Sequence, residues 1–295
     1  MYAFTAPRRP EQVLDASGSR LQAGCMPAPA MTDHLPALTF LVSIELWGPA
    51  HVPLYAPMAA AWPIPGDDPH SRSWSEYGVH TGARTLLKLL AEHGLRATVV
   101  VNGAVAEQYP DLVRSVHDAG HEVAANSWTQ DVVPAQLGEA TERANLSRCT
   151  DAITAITGQR PVGWMSPRAS RSPKTETLLA EQGYLWCGDH ADRDRPVIID
   201  TDRGPLVQMM HSDYSDVRNG GDPLRYRDLL VELVDVLCAG PTGGTATIAL
   251  HAHVGGRPLL ASMVGEIFGL VARRSTQLRI ITRRQLAAEL LAARQ

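Results

Sequence analysis

The chain has 295 residues, enough for one large α/β domain or two small ones, and it can bury a sizeable core. Its 27 basic and 31 acidic side chains leave a net charge of -4, which argues against a nucleic-acid or membrane partner selected by bulk charge. Cys25, Cys149, Cys187 and Cys238 lie far apart without a C-x-x-C pair, and read as buried thiols in a reducing compartment. Residues 1–30 hold no apolar signal-peptide core. The longest apolar stretch, around 38–44, is far shorter than the ~20 residues of a membrane span, so a cytoplasmic protein is expected.

Residues 1–35 are rich in Pro, Gly, Ala and Arg without a period and read as an extended N-terminal arm, with one domain over 36–295. A first strand is expected over 37–45, ending on Glu45 and Trp47. A loop of about 30 residues follows, with six prolines and with Trp62 and Trp74; loops this long in compact domains are usually functional or disordered, and the aromatics favour an ordered flap. Leu86, Leu87, Leu89 and Leu90 mark an amphipathic helix closed at His93-Gly94. Then come a buried strand over 97–101, a helix over 105–119 stopped by Gly120, and a strand through Val123, Ala124 and Ala125. Helices over 136–156 and 173–183 flank a short strand at 161–164, and strands follow over 184–187 and 206–210. A helix over 224–237, a strand over 245–250, a helix over 259–272 and the pieces 278–281 and 283–291 close the chain. About seven or eight strands alternating with helices are the mark of a parallel α/β sheet with helical crossovers. No linker interrupts the alternation, so one incomplete or distorted β/α barrel is expected rather than two domains.

In such a fold the polar residues just after strands converge at one mouth. Here they are Glu45, Asn126, Gln130, Trp164, Arg168, Asp189, His211, His251 and His253. Asn126 and Gln130 stand four apart, a spacing at which two histidines could hold a metal, but both are amides. His251-Ala-His253 is the most specific signal, since strand residues two apart face the same way. The plainer reading is one structural and one solvent histidine. Glu45 is either a general base or an anchor for a loop amide. Arg168 either orients a carboxylate or neutralises Asp189 in a structural salt bridge. His211 with Asp213 and Asp216 has the makeup of a metal cluster, though such loop clusters are more often solvated. Gly243-Gly244 lacks the Lys-Ser/Thr of a phosphate loop, so nothing points to a nucleotide.

Arg160-Pro-Val-Gly-Trp164-Met-Ser-Pro167-Arg168, the stretch from Pro173 through Tyr184 and Trp186, and His251-Ala-His253 with Gly256-Arg257-Pro258 resemble the NodB-homology polysaccharide deacetylases. Ser73-Trp74-Ser-Glu-Tyr77-Gly78 and Arg96-Ala-Thr point more narrowly to its cytosolic branch, which includes metal-independent allantoinases. The resemblance runs from about residue 37 to 285 and implies a distorted (β/α)7 barrel that hydrolyses a non-peptide C–N bond. It places the family's metal-site aspartate at or next to Glu45, its two metal histidines on Asn126 and Gln130, and its general-acid histidine on His251. Neutral amides are poor zinc ligands, so no metal and no other cofactor is expected.

The expected mechanism uses Glu45 as base and His251 as acid, with Arg168 and Asp189 as further catalytic candidates. Amide N–H groups of Asn126 or Gln130 would meet the developing oxyanion. Trp47, Trp128 and Trp164 are expected to line the pocket, with His211 and His253 also touching substrate, which favours a small planar or cyclic amide. The alternatives are non-hydrolytic acid/base chemistry (isomerase, cyclase or lyase) on the same pair, and a non-catalytic binding homologue. The Pro-rich arm and Trp-bearing loop offer more apolar surface than a lone barrel needs, and a homo-oligomer is expected.

Overall fold

The computed structural model of the chain describes residues 26–27, 35–240 and 244–294. The expected arm therefore lies almost wholly outside the described residues, as does Cys25; Cys149, Cys187 and Cys238 are free thiols.

The strands are β1 (Met26–Pro27), β2 (Ala37–Ile44), β3 (Thr98–Val101), β4 (Glu122–Ala125), β5 (Gly163–Trp164), β6 (Trp186–His190), β7 (Val197–Thr201), β8 (Gly204–Met210), β9 (Tyr214–Ser215), β10 (Thr245–His251) and β11 (Arg279–Ile280). The helices are α1 (Pro57–Ala61), α2 (Pro69–Tyr77), α3 (Ala83–Glu92), α4 (Gly103–Gln108), α5 (Pro110–Asp118), α6 (Glu139–Thr157), α7 (Thr175–Glu181), α8 (Asp216–Asn219), α9 (Pro223–Ala239), α10 (Ala252–Gly255), α11 (Pro258–Arg273) and α12 (Arg283–Ala292). All the strands join one sheet in the order β1-β7-β8-β6-β5-β4-β3-β2-β10-β9, with β11 on β2. Parallel pairing runs from β8 round to β9, and only β1 and β7 are antiparallel. The sheet curls into the distorted barrel expected from the sequence, and a seam remains because its two ends, β9 beside β10 and the β1-β7-β8 run, do not pair with each other.

Departures from expectation have local causes. The helix expected over 105–119 is two, because Pro110 keeps Tyr109 out of helical geometry (φ −128°, ψ 54°) and restarts the turn. The long loop is not structureless. Pro57 and Pro69 each sit at the start of a helix, where the missing N–H costs nothing, and Asp68 caps α2 through the Ser71 N–H. A π-helical turn, Gly78–Gly82, then joins α2 to α3. The antiparallel β7 also escapes the sequence reading, as do the two-residue β9 and the single turn α8.

A large apolar core fills the space between the sheet and its helices, while a smaller one fills the barrel with Leu41, Val100, Trp186, Val207 and Ala249. The base of the barrel is plugged by α12, whose Leu286, Ala287 and Leu290 join that inner core. Glu122 is buried there and accepts from Trp186 Nε1 (2.9 Å), Thr98 Oγ1 (2.7 Å) and Arg284 N (2.8 Å). Arg283 is equally buried and staples the seam: Nη2 donates to Met210 O on β8 (2.7 Å) and Thr247 Oγ1 on β10 (3.3 Å). Beside it lies a cavity of about 310 Å³ lined by Thr39, Met209, His211, Thr247 and Leu286. No helix of the described residues is long and apolar enough to cross a membrane.

Candidate active site

Strand alternation decides which side chains reach the mouth. On β2, Leu38, Phe40, Val42 and Ile44 join the outer core, Phe40 packing edge-on to Phe268 of α11, while Leu41 faces inward. Glu45 continues the inward phase. On β10, Ile248 and Leu250 face out and Ala249 faces in, which brings His251 inward, in register with Ser43. The outcome is a buried Glu45 with Oε1 3.8 Å from His251 Nε2 and Oε2 3.8 Å from His253 Nδ1. The two histidines do not share an extended strand as expected. The chain turns into α10 after His251, and that turn folds His253 back until the ring centroids are 5.9 Å apart.

Each member is held from behind. Asn102 is buried and ties the ends of β2 and β4, accepting from Leu46 N (3.0 Å) and donating to Ser127 O (2.9 Å). Gln130 donates its N–H to Leu46 O (2.9 Å), and its side-chain amide hydrogen-bonds the Glu45 carboxylate. His251 Nδ1 lies 2.7 Å from Asp216 Oδ1, and Asp216 Oδ2 accepts the His251 backbone N–H at 2.8 Å. Burial works against a charged His251, but the Glu45 and Asp216 carboxylates outweigh it and push the imidazole up to about 9. Burial raises Glu45 above the usual carboxylate range; Asp216 adds to this, while His251 and the Gln130 hydrogen bond oppose it.

His253 is fully buried among rings: Trp47 at 5.4 Å, Trp74 at 5.2 Å, and Tyr55 stacked at 5.9 Å. Tyr55 Oη is 3.0 Å from His253 Nε2. Close backbone packing fixes the arrangement. A Cβ on Gly82 would stand 1.8 Å from Ala252 O, and one on Gly78 3.1 Å from His253 N. Arg257 donates to His253 O and Trp74 O (both 2.9 Å) and lies over the rings of Trp74 and Tyr77.

Several expected site residues stand elsewhere. Trp164 is in the outward phase of β5, wholly buried in the core, with its edge against Tyr184. Trp128 packs over Gly103 beneath the Arg148 guanidinium, so it serves the contact between α4 and α6. Arg168 takes a left-handed backbone (φ 59°) that carries it into solvent, and among the described residues it pairs with no carboxylate. Asp189 is buried and accepts from Ser166 N (2.8 Å), and Arg171, not Arg168, reaches its backbone oxygen (3.2 Å). Burial raises the Asp189 carboxyl. His211 lines the seam cavity, where burial, then the positive charges of Arg283 and Arg218, lower its imidazole to about 4. Asp216 belongs to His251 rather than to a cluster around His211. Tyr55 and Trp74, partners of His253, carry no spacing signal in the sequence.

The metal positions implied by the resemblance hold Glu45, Asn126 and Gln130. Asn126 Oδ1 already accepts from Ser127 N (2.7 Å), and the Gln130 amide is committed to Glu45. One carboxylate and two engaged amides do not fit a zinc ion, which favours imidazole, thiolate and carboxylate.

Part of the chain, and its fold, match known proteins. Residues 75–186 match the family model of polysaccharide deacetylases, a span that holds Asn126 and Gln130 but neither Glu45 nor His251. A peptidoglycan deacetylase of Helicobacter pylori is 29% identical over 125 residues, 42% of either chain, so the match spans less than half the length of that relative. The structure of a probable polysaccharide deacetylase from Pseudomonas aeruginosa PAO1 superposes with a TM-score of 0.78 at 25% identity, covering 86% of this chain and 90% of that one. The PuuE allantoinase shares the fold at a TM-score of 0.79 and 24% identity, over 97% and 98% of the two chains. Residues 75–186 thus carry the likeness to polysaccharide deacetylases, and the chain as a whole shares its fold with a probable polysaccharide deacetylase and with an allantoinase.

Proposed function

We propose that the protein is a hydrolase of a non-peptide C–N bond in a small amide-like substrate, working without a metal through Glu45 and His251. The observation that carries this reading is the buried contact of Glu45 with His251, 3.8 Å apart at the mouth, with Asp216 2.7 Å behind the imidazole. A raised carboxylate pKa suits a general base, and a raised imidazole pKa keeps the general acid protonated at neutral pH. Glu45 takes a proton from water as its oxygen attacks the carbonyl carbon. The Asn126 side-chain N–H donates to the oxyanion, and protonated His251 delivers its proton to the leaving nitrogen. Gln130 holds the base, a different part from the oxyanion donor expected of it. The deacetylase and allantoinase relatives support this reaction class, and the flat faces of Trp47 and Tyr55 favour a planar or cyclic substrate over a long charged glycan.

The test is turnover of N-acetylated sugars and of cyclic ureides such as allantoin by chelator-treated enzyme in ¹⁸O-labelled water. Solvent oxygen in the product supports the reading. A product without solvent oxygen, or activity restored only by a divalent metal, would sink it.

A further inference from the structure

His253 presents a buried atom with nothing to bond. Its Nδ1 has no hydrogen-bond partner, and the Glu45 carboxylate oxygen lies 3.8 Å away, too far for a direct hydrogen bond. The ring is neutral: burial, then the positive charges of His251 and Arg257, hold it well below the usual histidine range. A neutral imidazole carries one N–H, so the contact with Tyr55 fixes which nitrogen has it. If Nε2–H donated to Tyr55, the bare Nδ1 lone pair would face a carboxylate, and the phenol proton would need another acceptor. If Tyr55 donates to Nε2, the proton sits on Nδ1 and points toward Glu45. Electrostatics selects the second arrangement.

An oxygen atom off the 3.8 Å line, about 3 Å from both groups, would complete the geometry. It must accept from Nδ1–H and donate to a carboxylate, and water does both while keeping a second lone pair. We infer that Tyr55 fixes His253 as the Nδ1–H tautomer, and that this N–H, facing Glu45, seats and orients the attacking water. The assignment of the water as nucleophile rests on the hydrolase reading; the tautomer does not. In the step, the water oxygen bonds to the carbonyl carbon, one water proton passes to Glu45, and the C–N bond breaks as His251 protonates nitrogen. His253 and Tyr55 keep their protons throughout. Tyr55 is thus a positioning residue acting through His253.

The experiment is ring ¹⁵N NMR on histidine-labelled protein, with His253 assigned by its loss in His253→Asn. The expected result is a protonated Nδ1 and a bare Nε2 that do not titrate while the protein stays folded. Tyr55→Phe, a substitution in the half-exposed loop, shifts part of the population to Nε2–H. A wild-type ring protonated on Nε2, or a ring unchanged in Tyr55→Phe, overturns the inference. Crystals of the variants test the seat without any substrate. His253→Asn places an amide N–H where Nδ1 was and keeps an ordered water against Glu45, whereas His253→Gln places it at Nε2 and loses the water. A water retained equally in both, or absent from the wild type, overturns the seat. Solvent-oxygen incorporation tests the hydrolase reading separately, so the two failures are distinguishable.

Discussion

Glu45 and His251 make a pair whose protonation can be followed through substitutions that preserve shape. Glu45→Gln keeps the size and most hydrogen bonding, and is expected to lower turnover by ~10²–10⁴-fold in a protein that still folds; near-full activity would show that the charge is not needed. The imidazole predicts a pH effect of definite sign. A histidine raised from ~6.5 unfolded to about 9 folded contributes stability that is complete below the lower value and lost as pH rises through the higher. The melting-temperature gap between wild type and His251→Gln is therefore expected to shrink from neutral pH to above 9. A gap that widens over that window would reverse the assignment. Glu45 and His251 were legible in the sequence because they close apolar strands, and His253 was found through its spacing from His251 although it stands on the first turn of α10. Tyr55 was not, and Asp216 was grouped with His211 instead of His251, because a proline-rich loop and a single turn after a two-residue strand have no period, and only the folded barrel brings them near.

Among elements, phase mattered more than composition. Trp164 looked like a pocket wall because it ends a strand, but β5 is two residues long and cannot announce which way it alternates; the Trp186 ring over Gly163 settles the inward side. The strands and helices around β2, β3, β4 and β10 were readable because their apolar runs are long and bounded by glycine or proline. The turn Gly78–Gly82 was hidden, since its glycines act through distant backbone that sequence does not show. Gly82→Ala is expected to destabilise the fold by ~1–3 kcal/mol, because its methyl meets a carbonyl oxygen and not a movable side chain. Urea unfolding measures this, and a variant as stable as wild type would mean that α10 can yield.

Across the whole molecule, residues 54–64, the segment that carries Tyr55, place Leu54 (81% exposed), Trp62 (72%) and Ile64 (48%) on the surface. Exposed apolar patches of this kind mark interfaces, and a homo-oligomer remains the expectation. Light scattering is expected to return more than one protomer mass, reduced by Trp62→Asp; a clean monomer at micromolar concentration would count against it.

The order of the strands around the barrel also has a consequence for the protein's birth. β2, made early, waits to be zipped along its whole length by β10, made late, and the Arg283 staple arrives later still. At ~5–20 residues per second of translation, Glu45 leaves the ribosome on the order of ten seconds or more before His251. Through that interval an apolar strand edge is bare and Glu45 has no His251 to meet. A nascent or prematurely terminated chain thus lacks half of the buried pair and exposes a strand edge at once, and a holdase chaperone has a defined stretch to guard.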